Sequence, residues 1–245
     1  MNEQEYIPSI AMSIQAHPDD QEFTIAGTLA KWVKNGCKVI SVIVTSGDAG
    51  SNDPTKGTDY KPILAHLRED EQIAANLVLG IKETAFLHYP DGELVASLQL
   101  RKDLTRLIRQ YKPDLVVTSD PTRVFYGSDY TNHPDQRAAA EAAVYATFPS
   151  SETRLIFTDL LDEGYEPHNV KKLYLHGAEK PDVWVEISET LDLKIAALKK
   201  HVSQLGDWDP ADMMREWAVE TGKEKGLKAA EAYKVMNLVE DRPES

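Results

Sequence analysis

Short apolar runs alternate along the chain with segments in which apolar residues recur at helical spacing. The runs are typical of strands buried in a parallel sheet, and the helical spacing is typical of helices packed on its faces. The runs predict strands at 9–16, 38–45, 83–89 and 114–120. Helices are predicted at 22–35, 64–79, 94–110 and 133–148. This alternation predicts an α/β fold, a Rossmann-like and mostly parallel sheet with helices on both faces.

The pattern is weaker in the last hundred residues of the chain. It predicts short strands at 172–176 and 183–187, a strongly periodic helix at 189–205 and a further helix at 209–222. The segment 232–239 could be a helix or an edge strand. We therefore expect a single domain over residues 1–240, followed by a short C-terminal tail at 241–245.

Two long polar loops, 46–61 and 121–132, interrupt this pattern, and loops of such length inside a compact domain are often functional. In the usual strand order of this fold the first and fourth strands are neighbours, and ligands bind beyond their carboxyl ends. The first strand leads directly into His17-Pro18-Asp19, and the fourth leads to the loop before His133-Pro134-Asp135. We expect both His-Pro-Asp segments to face one crevice.

Composition narrows the choice of partners. The formal net charge is −13, a balance that repels phosphate backbones and anionic lipid, so we expect neither nucleic-acid nor membrane binding. The single cysteine, Cys37, excludes an internal disulfide and suits a reducing compartment. Residues 1–6 are polar and acidic and lack the features of a signal peptide, so a cytoplasmic location is expected.

The first His-Pro-Asp segment has the chemistry of a metal site. Imidazole nitrogen and carboxylate oxygen are common zinc ligands, and His17 and Asp20 could supply both from one tight turn. Asp19 could accept the proton of an attacking water. The alternative is an ordinary turn with solvated carboxylates, because short motifs often match by chance.

The second segment could complete such a site. His133, with Asp135 two residues on, could stabilise an oxyanion or protonate a leaving amine, and the set would then hydrolyse an amide or ester. The alternative is a helix start, where Asp135 favours the positive end of the helix dipole. In the loop before it, Tyr130 could stack on a sugar ring or simply anchor the loop.

Several segments, in order along the chain, resemble the LmbE-like, or PIG-L, family of N-deacetylases. The resemblance covers about residues 10–205 and rests on these matches: AHPDDQE at 16–22 with Gly27-Thr28, TSGD at 45–48, Arg68-x-x-Glu71, YPDGEL at 89–94, HPD at 133–135 and HVSQ at 201–204.

The resemblance implies a zinc-dependent enzyme that removes acetyl groups from N-acetylglucosamine-type sugars or cleaves related amides. It implies that His17 and Asp20 are metal ligands, that Asp19 is the general base and that His133 stabilises the tetrahedral intermediate with Asp135 as its orienting partner. Arg68 then matches a residue that reaches the substrate. Asp48, in the loop after the second strand, is a further candidate for substrate binding. A small N-acylated substrate and a homo-oligomer are the implied partners.

The sequence departs from the family pattern at one position. The second motif of the family usually reads His-Pro-Asp-His, and its last histidine is the third metal ligand, whereas this chain has Gln136 there. An amide oxygen is a poor zinc donor beside imidazole. Gln136 could coordinate weakly, His133 could turn inward to replace it, or the metal could be lost; we expect metal binding of reduced affinity.

Two other functions stay open. A non-catalytic carbohydrate-binding protein would keep the pocket without turnover. An amidase acting on a non-sugar amide would keep the chemistry with a different substrate.

Overall fold

The computed structural model describes residues 6–239, so the expected tail at 241–245 lies outside it. The strands, in chain order, are β1 (Ile10–Gln15), β2 (Lys38–Thr45), β3 (Glu83–Tyr89), β4 (Leu115–Ser119), β5 (Phe125–Tyr126), β6 (Tyr130–Thr131), β7 (Lys172–His176), β8 (Val183–Glu186) and β9 (Ala230–Asn237). The α-helices are α1 (Asp20–Thr24), α2 (Ala26–Lys34), α3 (Lys61–Leu79), α4 (Leu98–Tyr111), α5 (Pro134–Tyr145), α6 (Asp159–Asp162), α7 (Leu191–Leu198), α8 (Val202–Leu205) and α9 (Ala211–Lys223).

A seven-stranded sheet has the order β3-β2-β1-β4-β7-β9-β8. β1 lies between β2 and β4 and pairs with both in parallel, with Ala11 opposite Val39 and Leu115. The mostly parallel Rossmann-like sheet is thus confirmed, and so is the expected pairing of the first and fourth strands. Within this sheet β9 is antiparallel to the other six strands; it pairs with β7 on one side and with β8 on the other.

Alternate residues of the buried strands pack on opposite faces of the sheet. Ala11 and Val117 belong to the core on the side of α2, α3, α7 and α9. Met12 and Val116 belong to the core on the side of α4 and α5. Both faces of the central strands are covered, which explains why their sequences read as continuous apolar runs.

Four predicted elements were wrong in their bounds or type. The helix predicted at 22–35 is broken at Ile25, which has φ −124° and ψ 1°. The helix predicted at 94–110 begins only at Leu98, where the Ser97 side chain accepts a 3.1 Å hydrogen bond from Leu100 N. The helix predicted at 189–205 is two helices, α7 and α8. The segment 232–239 belongs to β9, which lies inside the sheet and not at its edge.

The loop predicted at 121–132 contains a short antiparallel hairpin formed by β5 and β6. Within residues 6–239, no helix is both long and apolar enough to cross a membrane.

Candidate active site

The turn after β1 places Asp19 in an unusual backbone conformation. Its φ of 89° lies in the left-handed region, which is costly for a residue other than glycine and persists only where surrounding contacts hold it. Gln72 of α3 accepts a 3.0 Å hydrogen bond from Asp19 N, and Arg68 donates a 3.1 Å bond to Asp19 Oδ2. Burial raises the pKa of Asp19 to about 7, although Arg68 acts in the opposite direction. Helix α3 therefore fixes both the backbone and the side chain of the expected general base.

Arg68 is directed into the protein. Only 4% of the residue is exposed, and its guanidinium also donates to Gly47 O at 2.8 Å and to Pro18 O at 2.7 Å. A Cβ at Gly47 or Gly50 would lie 2.3 or 2.4 Å from Arg68 Nη1, so these glycines admit the guanidinium. The contacts make Arg68 a link between the β1 turn and the loop after β2. Its predicted contact with substrate stays a prediction.

Buried polar groups lie behind the turn. Glu22 accepts hydrogen bonds from Gln21 at 2.7 Å and from Gln72 at 3.1 Å, and His201 Nε2 lies 3.3 Å from its other oxygen. Burial acts to lower the pKa of His201, but Glu22 and then Asp19 raise it above its ordinary value. His201 is fully buried, and it does not line the cavity of about 620 Å³ that reaches Asp20.

The carboxylate of Glu71 connects α3 to α8. It accepts from Ser203 N at 2.7 Å and from Ser203 Oγ at 2.6 Å. The Arg-x-x-Glu and His-x-Ser-Gln segments that the sequence offered as separate matches are therefore one structural unit. Glu71 is anchored to α8, and Arg68, one helical turn earlier, is anchored to Asp19.

His17 is surrounded by carboxylates. Its Nδ1 lies 3.4 Å from Asp20 Oδ2, and its Nε2 lies 3.0 Å from Asp91 Oδ1 and 3.4 Å from Asp135 Oδ2. Burial acts to lower the pKa of His17, but Asp20 and the other two carboxylates raise it to about 12. Burial likewise acts to raise the pKa of each carboxyl group, yet His17 holds all three below their usual range. Cationic charge is thus strongly favoured here.

Asp20 and Gln136 are in direct contact. Gln136 Nε2 donates a 2.6 Å hydrogen bond to Asp20 Oδ1, while His17 N donates a 2.9 Å bond to Asp20 Oδ2. The structure therefore brings together the predicted metal residues His17, Asp20 and Gln136, although Gln136 turns the nitrogen of its amide toward Asp20.

His133 and Asp135 contact each other through the backbone. His133 caps α5, and its Nδ1 accepts a 3.2 Å hydrogen bond from Asp135 N. The Asp135 carboxylate accepts instead from Gly92 N at 2.7 Å and from Leu94 N at 3.2 Å. The His133 ring lies edge-on to that of His17, with 4.8 Å between centroids. The expected orienting carboxylate thus faces His17 more directly than His133.

The residues present fit a divalent cation. Nδ1 of His17 lies 3.4 Å from Asp20 Oδ2, and Gln136 contacts the other oxygen of Asp20. Nε2 of His17, which is buried and makes no hydrogen bond of acceptable geometry, faces Asp91 and Asp135 instead. Nitrogen and carboxylate oxygen donors suit zinc and related ions, and several buried carboxylates need cationic compensation. Ligand atoms of His17, His133 and Asp135 also lie within 4.8 Å of one another. Two sets of side chains could therefore hold a metal, and both include His17. One is His17 with Asp20 and Gln136, and the other is His17 with His133 and Asp135.

No separate role was predicted for Asp91, which entered only as part of the YPDGEL match at 89–94. Asp91 is 6% exposed, and besides facing His17 it accepts a 2.8 Å hydrogen bond from Ala49 N. Its carboxylate therefore connects His17 to the loop after β2. The signal available in the sequence was its position directly after β3, at the same sheet edge as His17.

A cavity of about 620 Å³ reaches this cluster from the side of the hairpin. Asp20, Gln136 and Tyr130 line it, together with Tyr126, whose ring centroid lies 5.9 Å from that of Tyr130. Asp48 is not among the lining residues and lies 3.4 Å from Lys61 Nζ. Tyr130 is thus placed where a substrate could contact it, whereas the predicted role of Asp48 stays a prediction.

Comparisons with known proteins agree with this arrangement. Residues 12–147 match the sequence model of the PIG-L family, GlcNAc-PI de-N-acetylase. The chain is 29% identical over 232 residues to the diacetylchitobiose deacetylase of Thermococcus kodakarensis, covering 91% of this chain and 81% of that protein. It is 26% identical over 192 residues to a probable N-acetyl-alpha-D-glucosaminyl L-malate deacetylase 2 of Bacillus anthracis, covering 77% and 78% of the two chains.

A solved structure, the N,N'-diacetylchitobiose deacetylase of Pyrococcus horikoshii, superposes with a TM-score of 0.85 at 30% identity, covering 94% of this chain and 84% of the other. The family match spans more than half of the sequence and includes both His-Pro-Asp segments. The chain therefore belongs to the PIG-L, or LmbE-like, family of N-deacetylases, hydrolases that act on C–N bonds other than peptide bonds.

Proposed function

We propose that this protein is a metal-dependent hydrolase that removes an N-acetyl group from an amino sugar, with zinc as its metal. The observation that carries the proposal is the convergence of Asp19, Asp20, Gln136 and His17 in one turn-and-helix junction, with His133 beside it. The deacetylases that the chain resembles act on N-acetylglucosamine derivatives, which supports a substrate of this chemical class.

The metal would be held by His17 and Asp20, with the side chain of Gln136 as the third ligand. Asp91 and Asp135 lie on the Nε2 side of His17, so they would orient its ring and leave Nδ1 toward Asp20, an arrangement common for metal-binding histidines. A divalent ion at this position would supply Lewis-acid polarisation of the acyl oxygen and of the attacking water.

The remaining chemistry would come from the side chains beside this site. Asp19 would take a proton from the attacking water, and Arg68 and the Gln72 contact would keep its carboxylate in place. His133 would stabilise negative charge on the acyl oxygen and could return a proton to the leaving nitrogen. The C–N bond breaks, and the products are acetate and a free amino sugar.

Metal binding and position 136 offer the direct test. A Gln136→His variant should bind zinc at least tenfold more tightly in a competition titration with a chelator and should release acetate faster from diacetylchitobiose. Imidazole is a much better zinc donor than an amide oxygen. Gln110→His, on an exposed position of α4, is the control and should change neither quantity. If Gln136→His leaves zinc affinity unchanged, position 136 is not a ligand and the His17–His133–Asp135 group becomes the preferred site.

One contact favours a second candidate function. The amide of Gln136 occupies Asp20 Oδ1 as a hydrogen-bond donor, so the chain could bind an acetylated sugar without a firmly held metal and without turnover. In that case a zinc-saturated preparation would bind diacetylchitobiose but release no acetate, and Asp19→Asn would leave binding unchanged.

A further inference from the structure

Three buried side chains connect the junction of α7 and α8 to the backbone of Asp19. His201 Nε2 lies 3.3 Å from Glu22 Oε2, and Gln72 Nε2 donates a 3.1 Å hydrogen bond to Glu22 Oε1. At the other end of the same amide, Gln72 Oε1 accepts a 3.0 Å bond from Asp19 N. His201, Glu22 and Gln72 are each 0% exposed. Their contacts therefore lead from a helix end to the β1 turn without reaching solvent.

Glu22 sets the orientation of the Gln72 amide. An amide side chain has an acceptor on one side and donors on the other, so a half-turn of the amide exchanges them. The Glu22 carboxylate only accepts and therefore keeps Nε2 of Gln72 toward itself, which leaves Oε1 toward Asp19 N. Asn76 Oδ1 accepts from the same Nε2 at a longer 3.3 Å. Without Glu22, only this longer contact would orient the amide.

His201 compensates the charge of Glu22. A buried carboxylate is costly unless donors or an opposite charge balance it. Glu22 Oε1 accepts from Gln21 and Gln72, whereas Oε2 makes no hydrogen bond of standard geometry within residues 6–239 and faces the His201 ring. Burial acts to lower the pKa of His201, but Glu22 raises it above its ordinary value. A cationic ring beside Oε2 thus keeps Glu22 an acceptor.

The backbone of Asp19 needs such support, because its φ of 89° is costly and Arg68 bonds only to its side chain. We propose that His201 and Glu22 are positioning residues for the reaction. Through Gln72 they hold the Asp19 backbone in the conformation from which its carboxylate reaches the attacking water. The inference rests on the proposed deacetylase function and adds to it two residues outside the wall of the cavity that reaches Asp20.

Removing the ion pair in one step and in two separates positioning from stability. His201→Leu leaves the Glu22 carboxylate buried without compensation and should lower the melting temperature and kcat for diacetylchitobiose together. Glu22→Leu with His201→Leu should restore most of the melting temperature, because apolar residues often replace a buried ion pair without net cost. In this double variant kcat should stay at least roughly tenfold below wild type, with KM within about twofold, because the Gln72 amide is no longer oriented.

Two further variants show whether the effect passes through Gln72. In a Gln72→Leu background, the double substitution should lower kcat no further, because the contact that transmits its effect is already absent. His168→Leu is the matched control, since Nε2 of this histidine contacts Pro113 O at 2.7 Å, just before β4 and at the opposite edge of the sheet. Whatever its effect on the melting temperature, it should leave kcat unchanged.

Hydrogen exchange of the Asp19 amide, followed by NMR, measures the same contact without turnover. It should be roughly tenfold faster in the double variant than in the wild type. Recovery of kcat together with the melting temperature, or unchanged Asp19 exchange, would overturn the positioning role. If the wild type releases no acetate but exchange is faster in the double variant, the positioning of Asp19 is supported and the deacetylase function is rejected. Acetate release with unchanged exchange would do the reverse.

Discussion

The β1 turn at 16–21 and the hairpin loop at 121–132 both contribute to the site, but they are held in different ways. The turn is fixed by buried side chains of α3, including Arg68 and Gln72, which bond to Asp19 directly. The loop is held chiefly by its own short ladder and by local contacts such as Asn132 N to Val124 O at 2.8 Å. Tyr130 near its tip is 54% exposed.

This difference separates two tasks. Groups that move protons or hold a metal need positions fixed within a fraction of an ångström, and buried hydrogen bonds supply that precision. Groups that recognise a substrate can lie on a less constrained segment, where loops commonly carry binding residues. We therefore expect changes in the turn to reduce kcat and stability, and changes in the hairpin to raise KM.

The largest expected effect is that of Asp19→Asn. The asparagine keeps an oxygen for Arg68 but cannot accept a proton from water, so kcat for diacetylchitobiose should fall by roughly 10²- to 10⁴-fold. KM should change by less than about threefold, because substrate binding does not use this proton. Asp59→Asn, in the exposed part of the long loop, is the matched control. A retained kcat would remove Asp19 from the reaction.

The next largest effect concerns Arg68. Arg68→Met leaves the Asp19 carboxylate and the carbonyls of Pro18 and Gly47 without their buried donor, which should lower the free energy of unfolding by about 3–5 kcal/mol and the melting temperature by roughly 10 °C. Arg215→Met removes an exposed contact to Asp192 and should shift the melting temperature by less than about 2 °C. Equal shifts in the two variants would mean that the turn is no more firmly held than the surface.

Strands were predictable from local sequence, whereas the break between α7 and α8 was not. The run of β-branched residues at 38–45 predicts a buried strand without reference to the rest of the chain, because its apolar residues are nearly continuous. The apolar periodicity of 189–205 also runs on without interruption. Helix α7 nevertheless ends at Leu198, and α8 begins only at Val202. At this break Ser203 meets Glu71, and His201 lies beside Glu22. These partners are more than a hundred residues away, so the local pattern could not reveal them.

The same distinction applies to the site. His17, Asp19 and Asp20 follow one strand within four residues, so their proximity was predictable from the segment itself. The approach of Asp91 to His17 depends on β3 ending at the same sheet edge as β1, two strands away. The inward direction of Arg68 depends on a loop that contains glycine at 47 and 50. Residue type and family resemblance identified Arg68 but could not give its direction.

His176, which lines the cavity that reaches Asp20, provides a pH-dependent test of the folded state. Its pKa falls from 6.5 to about 4 on folding, chiefly through burial, although Asp20 and Glu231 act against this. The folded state therefore excludes a proton that the unfolded chain accepts below pH 6.5, so stability is complete above that pH and is lost as pH falls toward 4. The loss should be on the order of 2–3 kcal/mol.

Chemical denaturation of the wild type and of His176→Gln between pH 7 and 4.5 measures this loss. Glutamine can keep a donor toward Gln15 and does not titrate, so the variant should lose less stability over the same range. Parallel pH profiles would show that His176 is not the group excluded from protonation.

The smallest predicted effect is that of Tyr130→Ala. The Tyr130 ring lines the cavity that reaches Asp20, lies near Tyr126 and touches no reacting group. Its loss should therefore raise KM for diacetylchitobiose by roughly tenfold and leave kcat within about twofold. Phe125→Ala is the matched control, because Phe125 belongs to the same hairpin, is 68% exposed and lies outside the cavity wall. A fall in kcat comparable to that of Asp19→Asn would place the hairpin with the fixed catalytic groups. The contrast between a rigid reacting turn and a recognition loop would then no longer hold.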